Sequence, residues 1–367
     1  MMIIPEFIKN LKPYVPGRPI EEIQKEYGLK TIHKIASNEN PLGPSPKAVE
    51  AMLSVASGLN RYPDIGALEL RGKIAEKFNV KIENIAVGNG SEGIMANILR
   101  SFLCEGDEMI TSKATFIGFQ VLARGRANKF IEVPMNHEDY KFDLNAILKH
   151  INQKTKVIYL CNPNNPTGTI FTKSEFDDFI KNVPENVLVI MDEAYFEYAE
   201  DKTEYPDSLQ YRLDNVITLR TFSKIYGIAG ARIGYGFGHK ELMETIMKVK
   251  LPFEPGNMAQ AGAVAALDDV EFIDKSKKLN KDGYEYFLAE LGKISGEKNF
   301  KVIPSYANFL MLDLGNPERV NKINESFLKE GVIIRPLIAF GLPHCIRITM
   351  GLNEENEAFI NSFKKFI

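Results

Sequence analysis

Short apolar runs alternate with helical periods over residues 46–270. We predict strands at 85–87, 108–111, 130–133, 156–161, 187–191, 216–219 and 232–237. Several of these runs are apolar throughout, which is typical of strands that helices cover on both faces. Between the runs, apolar residues recur at helical spacing, as at Ile94, Ile98 and Phe102. The alternation predicts an α/β fold with a mostly parallel, helix-covered sheet.

The pattern changes near residue 270. We predict a long helix at 271–294, strands at 301–303 and 308–313, a helix at 317–330, strands at 332–335 and 346–350, and a last helix from 354. Residues 1–45 are rich in Pro and Gly and predict an irregular arm. We therefore expect an arm at 1–45, a large domain at 46–270 and a small α+β domain at 271–367, with the arm packed against the small domain. In the last strand, alternation directs Ile346 and Ile348 to the core and Arg347 and Thr349 to the cleft.

Composition excludes several classes of protein. The formal net charge of −3 over 367 residues gives no electrostatic reason to expect nucleic acid or an anionic membrane as partner. The sequence holds no apolar stretch of about 18 residues, so we expect no membrane-spanning helix. The start lacks the pattern of a signal peptide, and three scattered cysteines fit a reducing compartment, so we expect a cytoplasmic protein. The five histidines lack the spacing of a metal site, and we expect no protein-bound catalytic metal.

The segment Gly88-Asn89-Gly90-Ser91-Glu92-Gly93 follows a predicted strand and opens a predicted helix. It matches G-x-G-x-x-G, the dinucleotide fingerprint. However, it lies deep in the chain, and the acidic pair Asp107-Glu108 precedes the second strand instead of ending it. We favour a turn whose backbone N–H groups bind a phosphate at a helix N-terminus. A purely structural turn and a nicotinamide site remain as alternatives.

Four further motifs follow predicted strands. They are N-P-N-N-P-T-G at 162–168, M-D-E-A-Y at 191–195, T-F-S-K at 221–224 and G-A-R-I-G-Y at 230–235. Open α/β sheets bind ligands at the carboxyl ends of their strands. Because buried charges need partners, Asp192 and Lys224 at such ends indicate a binding site.

In this order, the motifs resemble those of the fold-type I aminotransferases, which use pyridoxal 5′-phosphate (PLP). The resemblance runs from about residue 30 to the C-terminus. It implies that Lys224 holds PLP as a Schiff base, that Asp192 faces the pyridine nitrogen, and that Asn165 and Tyr195 donate to the ring oxygen O3′. The chemistry agrees, since PLP needs an amine to attach to and a carboxylate that keeps the ring protonated. A turn Asn and a core Tyr are the alternatives for Asn165 and Tyr195.

The resemblance also implies the remaining cofactor contacts. Phe116 would stack on the ring, although a lone Phe is more often a core residue. The phosphate would contact Ser91, the backbone amides of Ser91 and Glu92, and the side chains of Ser223 and Arg232. Thr221 would also belong to the cofactor site. Arg61-Tyr62-Pro63 resembles a loop whose Tyr reaches the phosphate site of the neighbouring subunit, which implies a homodimer with shared active sites.

Finer motifs are similar to those of histidinol-phosphate aminotransferases. They lie at 11–22, at 36–43 (A-S-N-E-N-P-L-G), at 332–336 (V-I-I-R-P) and at 345–349 (C-I-R-I-T). This similarity implies transamination between L-histidinol phosphate and 2-oxoglutarate. Arg347 would bind the substrate anion with help from Arg335, and Tyr14 and Asn40 would close the site.

The sequence departs from these relatives at two places. Ser91-Glu92-Gly93 stands where many relatives have Ser-Asp-Glu, and P-F-E-P-G-N at 252–257 stands where they often have P-F-N-V-N. The second departure concerns substrate choice. An aromatic amino-acid aminotransferase and a threonine-phosphate decarboxylase of the same fold therefore remain alternatives. A PLP-dependent regulator would need an appended DNA-binding domain, for which the sequence has no spare length.

Overall fold

The computed structural model describes residues 3–9, 11 and 17–367. The α-helices of this part of the chain are α1 (Glu6–Lys9), α2 (Ile20–Tyr27), α3 (Pro46–Ser54), α4 (Leu68–Phe78), α5 (Gly90–Phe102), α6 (Ile117–Arg124), α7 (Leu144–His150), α8 (Lys173–Ile180), α9 (Phe196–Ala199), α10 (Lys240–Val249), α11 (Asn257–Leu267), α12 (Val270–Lys298), α13 (Pro317–Lys329) and α14 (Asn353–Phe366). The strands are β1 (His33–Lys34), β2 (Ile85–Gly88), β3 (Glu108–Ser112), β4 (Lys129–Val133), β5 (Thr155–Cys161), β6 (Leu188–Asp192), β7 (Val216–Thr221), β8 (Gly234–Phe237), β9 (Lys301–Ile303), β10 (Phe309–Asp313), β11 (Val332–Ile333), β12 (Arg335–Pro336) and β13 (Cys345–Thr349).

Seven strands form the central sheet, in the order β2-β8-β7-β6-β5-β3-β4. All neighbouring pairs are parallel except the two that β8 makes, so the sheet is mostly parallel as predicted. Strands β6 and β7 are buried along their whole length, which explains their continuous apolar runs. Helices α5, α6, α7, α8 and α10 contribute to one apolar cluster on this sheet, and α3, α4 and α11 contribute to another.

Two smaller sheets lie outside the central one. Strands β12-β13-β10-β9 form an antiparallel sheet whose core includes side chains of α12, α13 and α14. Strand β1 pairs in parallel with β11. The prediction of one continuous strand at 332–335 is wrong, because Val332–Ile333 pairs with His33–Lys34 while Arg335–Pro336 joins the antiparallel sheet. Alternation in β13 is confirmed, since Ile346 and Ile348 belong to the core of this sheet.

The division into an arm and two domains stays a prediction. Its boundary near 270 falls where α12 begins, and the antiparallel sheet is built entirely from residues after that point. None of the helices in the described part of the chain combines the length and apolarity needed to cross a membrane.

Strand register brings the motif loops to one edge of the central sheet. Cys161 at the end of β5 pairs with Asp192 at the end of β6. Gly234 at the start of β8 pairs on one side with Thr221 and on the other with Gly88. The turn at 88–93 therefore lies beside the loops that follow β5, β6 and β7.

Candidate active site

Two adjoining cavities lie at this edge and share Glu92, Phe116, Asn165 and Lys224. The smaller cavity, of about 140 Å³, is also lined by Gly90, Ser91, Cys161, Asp192, Ala194, Tyr195, Thr221, Ser223, Ala229 and Arg232. The larger cavity, of about 290 Å³, is also lined by Gly17, Ala36, Ser37, Asn38, Ile117, Gly118, Val121, Arg335, Phe340 and Arg347. Twelve of the side chains predicted from the motifs therefore meet in one cleft.

Asp192 ends β6 and is only 2% exposed. The hydroxyl of Tyr159 donates to its Oδ2 at 2.6 Å. Its Oδ1 is buried and has no hydrogen-bond partner among the described residues. Burial raises the pKa of Asp192 to about 6, against the opposing effect of the Tyr159 hydrogen bond. The carboxylate thus has one oxygen left for an N–H group or a cation in the cavity.

Lys224 follows β7 and lies between the two cavities. Burial lowers its pKa to about 8, and the positive charge of Arg347 acts in the same direction. With that pKa, about one amine in ten is neutral at pH 7, compared with fewer than about one in a thousand for an ordinary lysine. Lys224 is therefore suited to act as a nucleophile and as a base.

The turn before α5 forms an anion site. Gly90 has φ +71° and starts the helix, and Arg232 has a left-handed φ of 52°. A Cβ at Gly234 would lie 2.4 Å from the Ser91 backbone nitrogen, so only glycine lets β8 approach the turn this closely. The Arg232 guanidinium lies beside the turn, with Nη2 3.8 Å from Glu92 Oε2. A helix N-terminus with an adjacent guanidinium is an arrangement that binds phosphate.

Two arginines lie on the wall of the larger cavity. Arg347, 5% exposed, donates to the Asn165 Oδ1 and to the Ala36 carbonyl at 2.7 Å. Its guanidinium lies 5.2 Å from the centre of the Phe309 ring. Arg335 is buried and pairs with Arg347 across β12 and β13. Two guanidinium groups on one wall provide paired donors for a carboxylate or a phosphate.

Comparison with known proteins decides the family. The sequence model of aminotransferase class I and II matches residues 30–363. The chain belongs to the class I and II aminotransferases.

Similar proteins cover nearly the whole of this aminotransferase. The histidinol-phosphate aminotransferase of Caldicellulosiruptor saccharolyticus is 41% identical over 364 residues, which is 99% of each chain. That of Anaeromyxobacter sp. is 42% identical over 363 residues, or 97% of each chain. Among solved structures, histidinol-phosphate aminotransferase from Sinorhizobium meliloti in complex with pyridoxal-5′-phosphate aligns with a TM-score of 0.88 and 26% identity, covering 100% of this chain and 98% of that one.

Two predicted site residues of the aminotransferase do not line either cavity, and a third is not among the described residues. Tyr62 is 79% exposed and stacks on Phe253, with ring centres 4.1 Å apart. The Asn40 side chain is turned away from the cavities and donates to the Ile225 carbonyl and to Ser276. Tyr14 lies outside the described residues. Roles for these three residues stay predictions.

Several residues that hold the site together were not predicted from the sequence motifs. Asn38 donates to the Tyr195 hydroxyl at 2.9 Å, and Thr349 Oγ1 accepts from its backbone N–H. Asn38 belongs to the A-S-N-E-N-P-L-G segment, from which we predicted Asn40 as the site residue instead. Tyr159 was not predicted as a site residue, because in the sequence it resembles the other apolar residues of a buried strand.

A second missed feature is a buried ion pair behind the site. Arg220 Nη2 lies 2.8 Å from Glu193 Oε2 and 2.7 Å from Asp207 Oδ1. Glu193 directly follows Asp192, and Arg220 lies on β7 just before Thr221. The pair therefore joins the ends of the two strands that carry the Asp192 and Lys224 loops. A charged residue in each strand end was visible in the sequence, but their pairing depends on the register of the sheet.

Proposed function

We propose that this aminotransferase exchanges an amino group between L-histidinol phosphate and 2-oxoglutarate, with PLP as cofactor. The products are imidazole acetol phosphate and L-glutamate, as a step of histidine biosynthesis in the cytoplasm. The family membership and identities near 40% over the whole chain support this activity. The structural observation that carries the proposal is the pair of buried arginines, Arg335 and Arg347, on the same cavity wall that Lys224 reaches.

The smaller cavity fits PLP. The buried Asp192 Oδ1 without a partner among the described residues suits the protonated ring nitrogen, and the turn before α5 with Arg232 suits the phosphate. Lys224 would hold the cofactor covalently through Nζ. When bound, PLP supplies the electron sink that stabilises negative charge at the substrate's Cα.

The side chains around the cofactor position would transfer protons, position the donor groups and cover the ring. The Lys224 Nζ would take a proton from the substrate's Cα and return one, because burial lowers its pKa towards neutral pH. The Tyr195 hydroxyl is held in place by Asn38, and Asn165 is held by Arg347. Phe116 lines both cavities and can cover one face of the ring.

The two substrates present different anions. Histidinol phosphate carries a phosphate and no α-carboxylate, whereas glutamate carries two carboxylates. One cleft must therefore bind either kind of anion, and a guanidinium fork accepts both geometries. Arg347 and Arg335 are the groups of the larger cavity that can do so.

We also propose that the enzyme is a homodimer in which Tyr62 reaches the partner's phosphate site. Tyr62 stacks on Phe253. Exposed large apolar side chains recur in the segments 42–68 and 251–253, at Leu42, Leu53, Leu59, Ile65, Leu68, Leu251 and Phe253. The Asn257 side chain donates to the Arg61 carbonyl, and the Gln260 side chain donates to the Asp64 carbonyl. The segments 61–64 and 257–260 therefore lie side by side. Exposed large apolar side chains support a subunit interface on this part of the chain.

Replacing Arg347 tests the proposed function. Arg347→Met should lower kcat/KM by about a hundredfold for both substrates, because each loses a charge-assisted contact. The variant should still hold PLP covalently, as measured by borohydride reduction and peptide mapping. Arg124→Met, which removes an exposed arginine paired with Glu132, serves as the control and should leave both rates unchanged. Normal rates with histidinol phosphate in Arg347→Met would contradict the proposed role.

A further inference from the structure

Donor side chains of four kinds meet between the segment 136–141 and the antiparallel sheet. Asp313 ends β10 and pairs with Cys345, which starts β13, and His344 directly precedes Cys345. The ligand atoms of Asp313, His344 and Cys345 all lie within 4.8 Å of one another. Asp313 is distant from the other two in sequence, so only the pairing of β10 with β13 reveals the cluster.

Tyr140 completes the cluster from the other side. Its hydroxyl donates to Asp313 Oδ2 at 2.6 Å and lies 3.1 Å from His344 Nε2 and 3.9 Å from Cys345 Sγ. Tyr140 has a left-handed φ of 58°, and its backbone N–H donates to the Asn136 carbonyl. The Tyr140 hydroxyl thus lies among the donor atoms of the other three residues, at separations of 2.6–3.9 Å. The ligand atoms of a tetrahedral zinc site are roughly 3.3–3.8 Å apart, so small side-chain shifts would place all four around one ion.

We propose that Tyr140, Asp313, His344 and Cys345 bind one Zn²⁺ ion per chain. A thiolate, an imidazole and a carboxylate form a mixed ligand set that suits Zn²⁺, whereas Mg²⁺ and Ca²⁺ prefer oxygen ligands alone. The phenol oxygen of Tyr140 supplies the fourth ligand. A cysteine thiol is mostly protonated at neutral pH, because its ordinary pKa is about 8.5. Binding therefore forms a Zn–S bond and releases the thiol proton to solvent.

The surroundings indicate a structural site. Tyr140 and Cys345 belong to an apolar cluster with Ile117, Ile303, Met311, Leu337 and Phe340. Ile117 and Phe340 also line the larger cavity of the active site. A bound ion would join the 136–141 segment to β10 and β13, and it would fix the wall that these two residues form. The ion takes part in no catalytic step, and its binding does not depend on the proposed substrate.

Zinc binding by the holoenzyme tests the proposal. After equilibration with Zn²⁺ and removal of excess metal, we expect about one zinc per chain by elemental mass spectrometry. X-ray absorption at the zinc edge should show one sulfur at about 2.3 Å together with nitrogen or oxygen at about 2.0–2.1 Å. Cys345→Ser should lose the sulfur signal and most of the zinc. Cys104→Ser, which removes an exposed cysteine outside the cluster, should retain both.

A second variant covers the possibility that Cys345→Ser does not fold. Asp313→Asn is nearly isosteric, and titration calorimetry should show its zinc affinity reduced by about tenfold or more. Failure of the wild-type holoenzyme to retain zinc would overturn the proposal. Zinc bound without sulfur, a sulfur signal that survives in Cys345→Ser, or unchanged affinity in Asp313→Asn would overturn it equally.

Discussion

At the residue scale, the site depends on charged groups whose burial changes their protonation. Asp192 keeps one oxygen without a partner among the described residues, and Lys224 has a pKa near 8 because it is buried beside Arg347. Both features are properties of the folded chain alone. They prepare a site that takes up a cationic ring and an aldehyde at neutral pH.

Cofactor capture should follow the protonation of Lys224. Only the neutral amine attacks an aldehyde, and the amine is neutral above its pKa. The rate at which the apoenzyme takes up PLP should therefore rise with pH around a midpoint near 8. Arg347→Met removes a positive charge that lowers this pKa, so its midpoint should move upward. Stopped-flow absorbance measures both, and a wild-type midpoint at 10 or above would refute the assignment.

Asp192→Asn should keep bound PLP but lose about a hundredfold or more in kcat, because a neutral amide cannot hold the ring nitrogen protonated. Steady-state rates at saturating cofactor measure the effect. Asp177→Asn, a carboxylate on α8 that accepts from Tyr211, is the control and should be as active as the parent. An Asp192→Asn enzyme as fast as the parent would remove this residue from the mechanism.

At the element scale, the turn at 88–93 works because β8 lies against the start of α5. A Cβ at Gly234 would be 2.4 Å from the Ser91 nitrogen and 2.6 Å from the Gly90 carbonyl carbon. Gly234→Ala should therefore displace the turn and weaken PLP binding by about tenfold or more. Gly230→Ala, where a Cβ would meet nothing within 4 Å, is the matched control. Equal PLP dissociation constants for the two variants, measured by titration, would contradict this account.

The elements also show which parts of the fold and of the site can be predicted from the sequence alone. The strands of the central sheet were predicted to within a residue or two because continuous apolar runs need no partner to be recognised. The segment 332–335 was wrongly predicted as a single strand. Its first half pairs with β1 and its second half pairs with β13, in two different sheets. Likewise, the motifs located Asp192 and Lys224, but Asn38 and Tyr159 follow only from contacts between distant segments.

At the scale of the whole molecule, variants of the exposed Tyr62 can test whether the active site is shared between two subunits. We expect hybrids of Tyr62→Phe and Lys224→Ala protomers to recover activity, since a tyrosine acting on the partner's site leaves one site with both native residues. Activity of the mixture, compared with each variant alone and with molar mass by light scattering, measures this. A fully active monomer at low concentration would exclude the shared site.

The choice of substrate separates the proposed function from its alternatives. The most direct test compares transamination rates of the wild-type enzyme with histidinol phosphate, phenylalanine and phosphothreonine as amino donors to 2-oxoglutarate, and assays decarboxylation of phosphothreonine in parallel. We expect kcat/KM for histidinol phosphate to exceed that for phenylalanine by at least about tenfold, because Arg335 and Arg347 favour the phosphate. We also expect no carbon dioxide from phosphothreonine. A preference for phenylalanine, or decarboxylation as the main reaction, would contradict the assignment.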